Sequence, residues 1–355
     1  MKQQITLLTF FVFLLSFLGA KAQAPIGGEN VSEFLNNPFS ARVQALGGIN
    51  LTVHGEDASL GYSNPATWNK QMHKTVTFGT QFLPGFSNAG NVQYAHNFDK
   101  IATFGFGMLY QTYGNIVRTD ESANEIGKFT ANDFAWYAGG AYRFAKILSV
   151  GANAKLFYSQ LDNFHSMGVA ADIAFSVNDS AHHITATLAA TNIGYQFKAY
   201  RKGNNELLPF DLRLGFAFGF KGFPLRFHLT VHDLHRWNIR YDNPADDDGG
   251  NLFEASDSAG VRKKNWGDEI FRHIIIGVEA NIKKVVRIQL AYNHQRRQEL
   301  KQLNVRGMAG ISIGFGLHIK YLDIQYALNP AALGQTTNHL TFALNIAKLP
   351  KKKKA

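Results

Sequence analysis

The sequence predicts an all-β protein: a transmembrane antiparallel β-barrel of about 14 strands, with an N-terminal segment that plugs its lumen. Three observations predict this fold. Apolar residues alternate with small or polar residues along most of the chain, and short connections between these stretches alternate with longer ones. The composition, with 33 Gly, 29 Phe and 13 Tyr among 355 residues, is typical of a glycine-rich and aromatic-rich β architecture.

The stretch 210–220 shows the alternation most clearly. Read with a period of two, it places six bulky apolar residues on one face, and Asp211, Arg213 and three small residues on the other. Successive side chains of a strand point to opposite faces, so this strand has one apolar wall and one small or polar wall. A membrane barrel strand needs such walls, because lipid lies outside and a polar lumen lies inside.

Charged residues within the strands indicate which face points inward. A basic residue on the lipid face near the midplane costs about 2–4 kcal/mol, so several of them would exceed the roughly 5–15 kcal/mol stability of a typical domain. The charges therefore belong in the lumen, where they either line a pore or substrate path or form a ladder of ion pairs. The inward candidates are Asp211, Arg213, Arg226, Glu279 and Arg287.

The connections between the predicted strands alternate in length. This alternation is expected when one end of a barrel carries tight periplasmic turns and the other carries loops. The predicted tight turns are 99–100, 145–146, 178–180, 221–222, 283–284 and a turn at Gly316, and the longer stretches include 114–131, 160–165, 194–209 and 236–270.

The chain divides into four segments. Lys2, the apolar run 5–18 and the small residues around position 21 predict a signal peptide at 1–22. Residues 23–73 do not alternate and form the predicted plug segment, with short helical pieces at 33–35 and 41–46. The predicted barrel covers 74–347, and 348–355 is a basic periplasmic tail. No later stretch is long and apolar enough for a membrane helix, so the chain must span the outer membrane as a closed barrel.

Composition and motif spacing argue against an enzyme. The chain has no Cys, and much of its net charge of +10 lies in the terminal lysine run, so we expect neither a thiolate site nor a nucleic-acid partner. The two histidines of 232–235 would point to opposite faces of a strand and could not share a metal ion. The stretch 246–250 lacks the alternating ligands of a calcium loop. We therefore expect no cofactor, no metal and no catalytic residues.

The N-terminal segment resembles a known family. The residues that carry the resemblance are Phe34-Leu35, Pro38, Ser40-Ala41-Arg42-Val43, Ala45-Leu46-Gly47-Gly48 and Asn64-Pro65-Ala66, followed by the barrel pattern. Together they resemble the PorQ proteins of the type IX secretion system, which are similar to PorV and to FadL-type transporters. Arg42 and Asn64 match the motif, and we include them among the candidate lumen or plug residues.

The resemblance implies a 14-stranded outer-membrane barrel that scaffolds or anchors a cell-surface attachment complex. The implied partners are PorZ-like, PorU-like and PorV-like proteins. Outer-membrane lipid and lipopolysaccharide are further expected partners, the latter through loop charges, although plain solvated charge explains these too. The alternative function is a FadL-like channel for hydrophobic small molecules with the N-terminal segment as a hatch. A third alternative, an outer-membrane enzyme, requires a catalytic cluster near one rim.

Overall fold

The computed structural model describes residues 30–85, 87–98, 102–203, 205–239, 266–300, 307–330 and 335–350. The predicted signal peptide at 1–22 and the start of the plug segment lie outside the described residues. So do the acidic stretch 246–250, most of the stretch 236–270 and the last five residues of the basic tail.

The chain folds into a closed antiparallel barrel of fourteen strands. Each strand pairs with its neighbours in sequence, and the first pairs with the last to close the ring. The predicted fold class is therefore confirmed. The strands are β1 (Thr75–Phe82), β2 (Asn88–Phe98), β3 (Ala102–Thr119), β4 (Glu125–Arg143), β5 (Leu148–Leu161), β6 (Phe164–Asp179), β7 (Ile184–Lys198), β8 (Asp211–Gly219), β9 (Leu225–Val231), β10 (Ile274–Ile282), β11 (Val286–Asn293), β12 (Ile311–Ile319), β13 (Leu322–Pro330) and β14 (Thr336–Asn345).

The two faces of the wall differ as the alternation predicts. In β8, Asp211 and Arg213 are buried on the inner face, whereas Leu214 and Phe216 are about 40% exposed on the outer face. Phe106 on β3 and Tyr195 on β7 are more exposed still, at 61% and 64%. Such exposure would be costly in water, so the outer face is suited to lipid.

The barrel has a turn end and a loop end. The turn end carries the β2–β3, β4–β5, β6–β7, β8–β9, β10–β11 and β12–β13 connections, and the chain enters β1 and leaves β14 there. The loop end carries the other connections, of which 232–273 is the longest. Two of the predicted long stretches are wrong: most of 114–131 is a hairpin of strands β3 and β4, and 160–165 contains a turn of two residues.

The turn predicted at Gly316 is also wrong. Gly316 lies inside β12 opposite Gln325, and the turn comes at Lys320, whose φ is 43°. The reason is packing in the lumen, because a Cβ at Gly316 would lie 2.4 Å from the Gln325 side-chain oxygen. The glycine therefore leaves room for a neighbouring side chain and does not mark the end of a strand.

Residues 30–73 thread the lumen from the loop end to the turn end. The backbone N–H of Val31 donates to Leu207 at the loop end, and the backbone carbonyl of Lys74 accepts from Ile346 at the turn end. This plug contains short helices at Glu33–Asn36, Ala41–Ala45, Leu60–Ser63, Pro65–Thr67 and Lys70–Met72. The helical pieces predicted at 33–35 and 41–46 are thus confirmed, and the second ends where Gly47 takes a φ of 97°.

The remaining helices lie outside the plug. Trp266–Arg272 and His294–Glu299 pack at the loop end, and Ile346–Lys348 forms one turn after β14. Among the described residues, none of the helices has the length and apolar character needed to span a membrane.

Candidate functional site

The candidate site is the interface between the plug and the inner wall. The helix Ala41–Ala45 packs against β12, β13 and β14, and the turn Pro65–Thr67 packs against β4, β5 and β6. Small inward residues permit this approach. A Cβ at Gly151 would lie 2.2 Å from the carbonyl oxygen of Pro65, and one at Gly314 would lie 2.2 Å from the Cβ of Ala45. The plug therefore contacts the backbone of the wall directly.

Arg42 and Glu279 form the strongest polar contact between plug and wall. Arg42 Nε donates to Glu279 Oε2 at 2.8 Å, and Nη2 donates to Oε1 at 2.6 Å. Gln289 Nε2 also donates to Oε2, and Arg42 Nη1 donates to the His54 carbonyl at 3.0 Å. Both side chains of the pair are less than 10% exposed. The guanidinium of Arg42 is therefore bidentate on the Glu279 carboxylate, and its positive charge compensates the buried negative charge.

Arg226 lies next to this pair without joining it. It is the register partner of Glu279 across β9 and β10, and its Nη2 donates to Thr185 Oγ1 at 2.6 Å. Arg226 and Glu279 both line a cavity of about 400 Å³ at the turn end, which also reaches Lys284. The structure thus brings together three of the predicted residues: Arg42, Glu279 and Arg226.

A second cluster joins Asp211 and Arg213 to the plug. Arg213 Nε donates to Asp211 on the same face of β8, and Nη2 donates to Asn36 Oδ1 of the plug at 3.0 Å. Asn192 on β7 donates to the same oxygen at 2.9 Å. Side chains from two wall strands, β7 and β8, therefore bind the same plug side chain, the amide of Asn36.

The sequence prediction did not include the adjoining cluster around Lys155 among the site residues. Lys155 Nζ lies 2.8 Å from Asp172 Oδ2 and donates to Asn192 Oδ1 at 2.9 Å, with both charged side chains at most 2% exposed. Asn192 has a φ of 57° at a bulge where β7 places two residues opposite Asp172. Alternation along β5 indicates that Lys155 points inward. The bulge in β7 that brings Asn192 into contact with Lys155 has no sequence signature.

Arg287 forms its ion pair with another residue of the barrel wall. Its guanidinium contacts both carboxylate oxygens of Asp323 on β13, and Gln325 and His318 also contact that carboxylate. The group is confined to the wall near the turn end. It fits the ion-pair ladder that the sequence analysis considered, because each partner lies on a wall strand.

Asn64 has a structural position. Its Oδ1 accepts the N–H of Ala66 at 3.0 Å, and its Nδ2 donates to the Leu51 carbonyl at 2.6 Å. It is 1% exposed and caps the turn at Pro65, so both polar atoms of its amide already bind the plug backbone. Asn64 remains only a predicted binding residue.

Asp57 is a buried plug carboxylate that the sequence analysis missed. It accepts from the hydroxyls of Ser40, Ser59 and Thr77 at 3.1 Å or less, and from the Ser59 N–H at 2.8 Å. Burial raises the pKa of Asp57 above its usual value. Because Thr77 belongs to β1, this cluster fixes the plug to the first strand.

One apolar seam runs the length of the lumen, and both the plug and the inner wall contribute side chains to it. It begins at Val31 and Leu208 near the loop end and finishes around Met72 and Ala95 near the turn end. In its middle, the inward side chains of Leu109 on β3 and Phe157 on β5 are fully buried, where other inward positions are mostly small or polar. Further members of the seam are Phe34, Leu35, Phe39, Tyr62, Trp68, Ala135, Tyr137, Ala141 and Ala170. The seam is packed, and the cavity next to it, between Asn36 and Lys155, measures about 20 Å³.

Residues 232–235 do not lie on a strand, because β9 ends at Val231 and Asp233 has a φ of 53°. The assumption that their side chains alternate is therefore wrong. Ligand atoms of Asp211, Asp233 and His235 come within 4.8 Å of one another. However, Arg213 and Arg236 already contact the two carboxylates, and Asp211 Oδ1 accepts the Asp233 N–H at 2.7 Å. These cations neutralise the cluster, so we assign no metal to it.

Comparisons with known proteins show the fold. No family model and no curated protein sequence matches the chain. The deltaS2S3 mutant of TodX, a monoaromatic hydrocarbon channel, superposes with a TM-score of 0.53 at 11% identity, covering 87% of this chain and 99% of that one. The monoaromatic hydrocarbon channel CymD gives 0.51 at 11% identity, covering 87% and 97%. The toluene transporter TodX of Pseudomonas putida gives 0.48 at 12% identity, covering 86% and 96%.

At such identity the likeness shows a shared architecture and nothing finer. It extends over nearly the whole of the matched chains, so the shared part is the complete barrel. Together with the apolar outer face and the polar inner face, it supports one conclusion: the chain is a 14-stranded barrel of the outer-membrane type, with its plug inside.

Proposed function

We propose that the protein is a FadL-like outer-membrane channel for hydrophobic small molecules, described here with its hatch closed. The observation that carries this proposal is the apolar seam between the plug and strands β2 to β6. A lumen that only anchored a partner would need no apolar lining, because polar side chains fill a barrel equally well. A hydrophobic solute needs such a lining to cross the barrel.

The plug is held beside this seam by groups that can separate. Arg42 and Glu279 form an ion pair, and Asn36 and Asp57 make hydrogen bonds to β8 and β1. On the seam side the contacts are also hydrogen bonds, from Asn153 on β5 to the Gly61 carbonyl and from Asn37 of the plug to Gln111 on β3. No disulfide bond fixes the plug to the wall, since the chain contains no Cys. A shift of the plug would open the seam while the hydrogen-bonded wall stayed closed. Movable packed segments of this kind commonly gate binding sites.

The shared fold with two monoaromatic hydrocarbon channels supports the same choice. It shows the architecture only, so the chemical nature of the solute rests on the seam. In this proposal the turn end faces the periplasm and the loop end faces the exterior. The prediction that the protein is not an enzyme is part of the same proposal.

Uptake of labelled toluene into proteoliposomes tests the channel. The whole protein should admit more label than protein-free liposomes. Leu109→Asn places an amide in the seam and should reduce uptake, because a buried unpaired polar group is unfavourable beside an apolar solute. Ile275→Asn is the matched control: Ile275 is an equally buried inward aliphatic residue on β10, outside the seam. Uptake at the protein-free level, or equal loss in both variants, would contradict the proposal.

A second candidate function is the scaffold of a type IX surface-attachment complex, which rests on the resemblance of residues 34–48 and 64–66. The specific observation in its favour is that the lumen is nearly filled beside Lys155, where the cavity measures about 20 Å³. The longest predicted connection, 236–270, is large enough to be the docking surface in this role, and it lies mostly outside the described residues.

Affinity purification from crosslinked outer membranes tests the scaffold. Stoichiometric recovery of secretion-system proteins with the whole chain, and their loss when 241–264 is deleted, would support it. The matched control is a shortening of the β3–β4 hairpin at 117–127, which changes another projection of the loop end. Recovery that does not depend on 241–264 would remove this role for the stretch.

A further inference from the structure

A cavity lies at the turn end, between the β8–β9 and β10–β11 turns. It measures about 400 Å³ and opens toward the side that the preceding proposal assigns to the periplasm. Its charged lining residues are Arg226, Lys284 and Glu279. Charge in a concave site raises the local concentration of ions of opposite sign.

The balance of charge in this cavity is positive. Glu279 is already bound by Arg42 through two hydrogen bonds and by Gln289 through a third. Arg226 donates to the neutral hydroxyl of Thr185. Within the described parts of the chain, no carboxylate oxygen lies within 4.0 Å of the charged nitrogens of Arg226 or Lys284. A partly buried guanidinium without a counter-ion has unused donors that an oxyanion can satisfy.

The rim of the cavity is apolar on its outer side. Phe220 and Phe223, in the turn between β8 and β9, line it and are 58% and 53% exposed. Leu225 continues this surface into β9. A ligand with an anionic head and an apolar part would contact the cations and the aromatic rim together.

We propose that this cavity binds a phosphate group through Arg226 and Lys284. A guanidinium presents paired donors that match two phosphate oxygens, and an ammonium adds a point charge. The two sources of this chemistry are the headgroup of a phospholipid from the adjoining leaflet and free inorganic phosphate. The aromatic rim favours the headgroup. This inference is independent of solute transport and stands whether or not the barrel conducts.

The test uses the whole protein in a phosphate-free non-ionic detergent. Dihexanoyl phosphatidylglycerol and inorganic phosphate are titrated separately, and calorimetry and the unfolding temperature report binding. We expect the lipid probe to bind and raise the unfolding temperature. Arg226→Gln and Lys284→Gln should each weaken binding about tenfold or more, because each removes hydrogen bonds to a charged group.

Lys283→Gln is the matched control, since Lys283 shares the β10–β11 turn with Lys284 but does not line the cavity. Lys284 is exposed, so its variant reports on binding even if Arg226→Gln disturbs folding. Binding of inorganic phosphate with the same variant pattern would support the site and assign it to the free ion. Failure of both probes to bind, or equal binding by Lys284→Gln and Lys283→Gln, would overturn the proposal.

Discussion

Arg42 and Glu279 lie 237 positions apart in the chain and meet through two hydrogen bonds inside the barrel. Arg42 belongs to the plug and Glu279 to β10. The contact between them therefore reports whether the plug occupies its position in the lumen. A buried pair contributes little net stability, but removing one partner is strongly destabilising because the other charge stays buried.

Arg42→Met should therefore destabilise the protein by about 3–5 kcal/mol, because Glu279 loses its cation. Thermal unfolding in detergent measures the loss, and proteolysis of residues 30–73 reports release of the plug. The double variant Arg42→Met and Glu279→Met should recover much of the stability, since no charge remains. Losses that simply add in the double variant would show that the two residues do not interact.

Asp172→Asn should destabilise the barrel by about 3–5 kcal/mol, because Lys155 then lacks its partner in a site shielded from water. Asp162→Asn is the comparison, since Asp162 and its partner Arg118 are 29% and 40% exposed. Exposed pairs contribute about 1 kcal/mol or less. Chemical unfolding of both variants measures the difference, and equal losses would contradict our assignment of the Lys155 cluster as a buried support.

Gly105→Ala should push Trp68 from its place in the plug. A Cβ at Gly105 would lie 2.1 Å from the indole ring of Trp68, which is 3% exposed and cannot move into free space. Overpacking of this kind costs about 1–3 kcal/mol. Gly90→Ala is the control, because its nearest neighbour would be 3.5 Å away. Thermal unfolding should show the loss for the first variant only, and Trp68→Phe should relieve it.

Acid should loosen the plug through His54. Burial, with the positive charges of Arg226 and Arg42, lowers the pKa of His54 from 6.5 to about 3. The folded state therefore keeps this ring neutral where the unfolded state binds a proton. Above pH 6.5 the ring is neutral in both states, so it does not reduce the free energy of unfolding. As the pH falls from 6.5 toward 3, the unfolded state binds a proton that the folded state does not, and the free energy of unfolding decreases.

The loss between pH 6.5 and 5 is at most about 2 kcal/mol, since one pKa unit corresponds to about 1.4 kcal/mol. Unfolding temperatures measured between pH 7 and 5 should fall less in His54→Leu than in the unmodified protein. Identical pH profiles would rule out His54 as the group responsible.

The C-terminal segment should help to hold the plug at the turn end. Lys348 contacts Glu56, and the next residue, Asp57, is buried in the plug. Glu56→Lys should increase proteolysis of the plug slightly, because a partly exposed pair contributes about 1 kcal/mol or less. Exchange of the two charges, with Glu56→Lys and Lys348→Glu together, should restore protection. No rescue by the exchange would argue against a direct contact.

The sequence predicted about 14 strands, their antiparallel order and the inward face of the five candidate charges. The physical reason is local: alternation depends on neighbouring residues, and lipid excludes charge from one face at every position. Asp211, Arg213, Glu279 and Arg287 all point inward as their parity requires. Signals that depend on single residues failed, as at Gly316, because a glycine that makes room for a lumen side chain looks the same as one in a turn.

Only the tertiary structure decided which charges meet and what fills the lumen. Arg42 could have paired with any inward carboxylate, and its choice of Glu279 depends on where the plug crosses the barrel. The bulge at Asn192 and the seam through Leu109 and Phe157 join residues from separate strands. Alternation predicts which face of a strand a side chain takes, but it does not predict which residues lie near it across the lumen. These contacts form only when the barrel has closed around the plug.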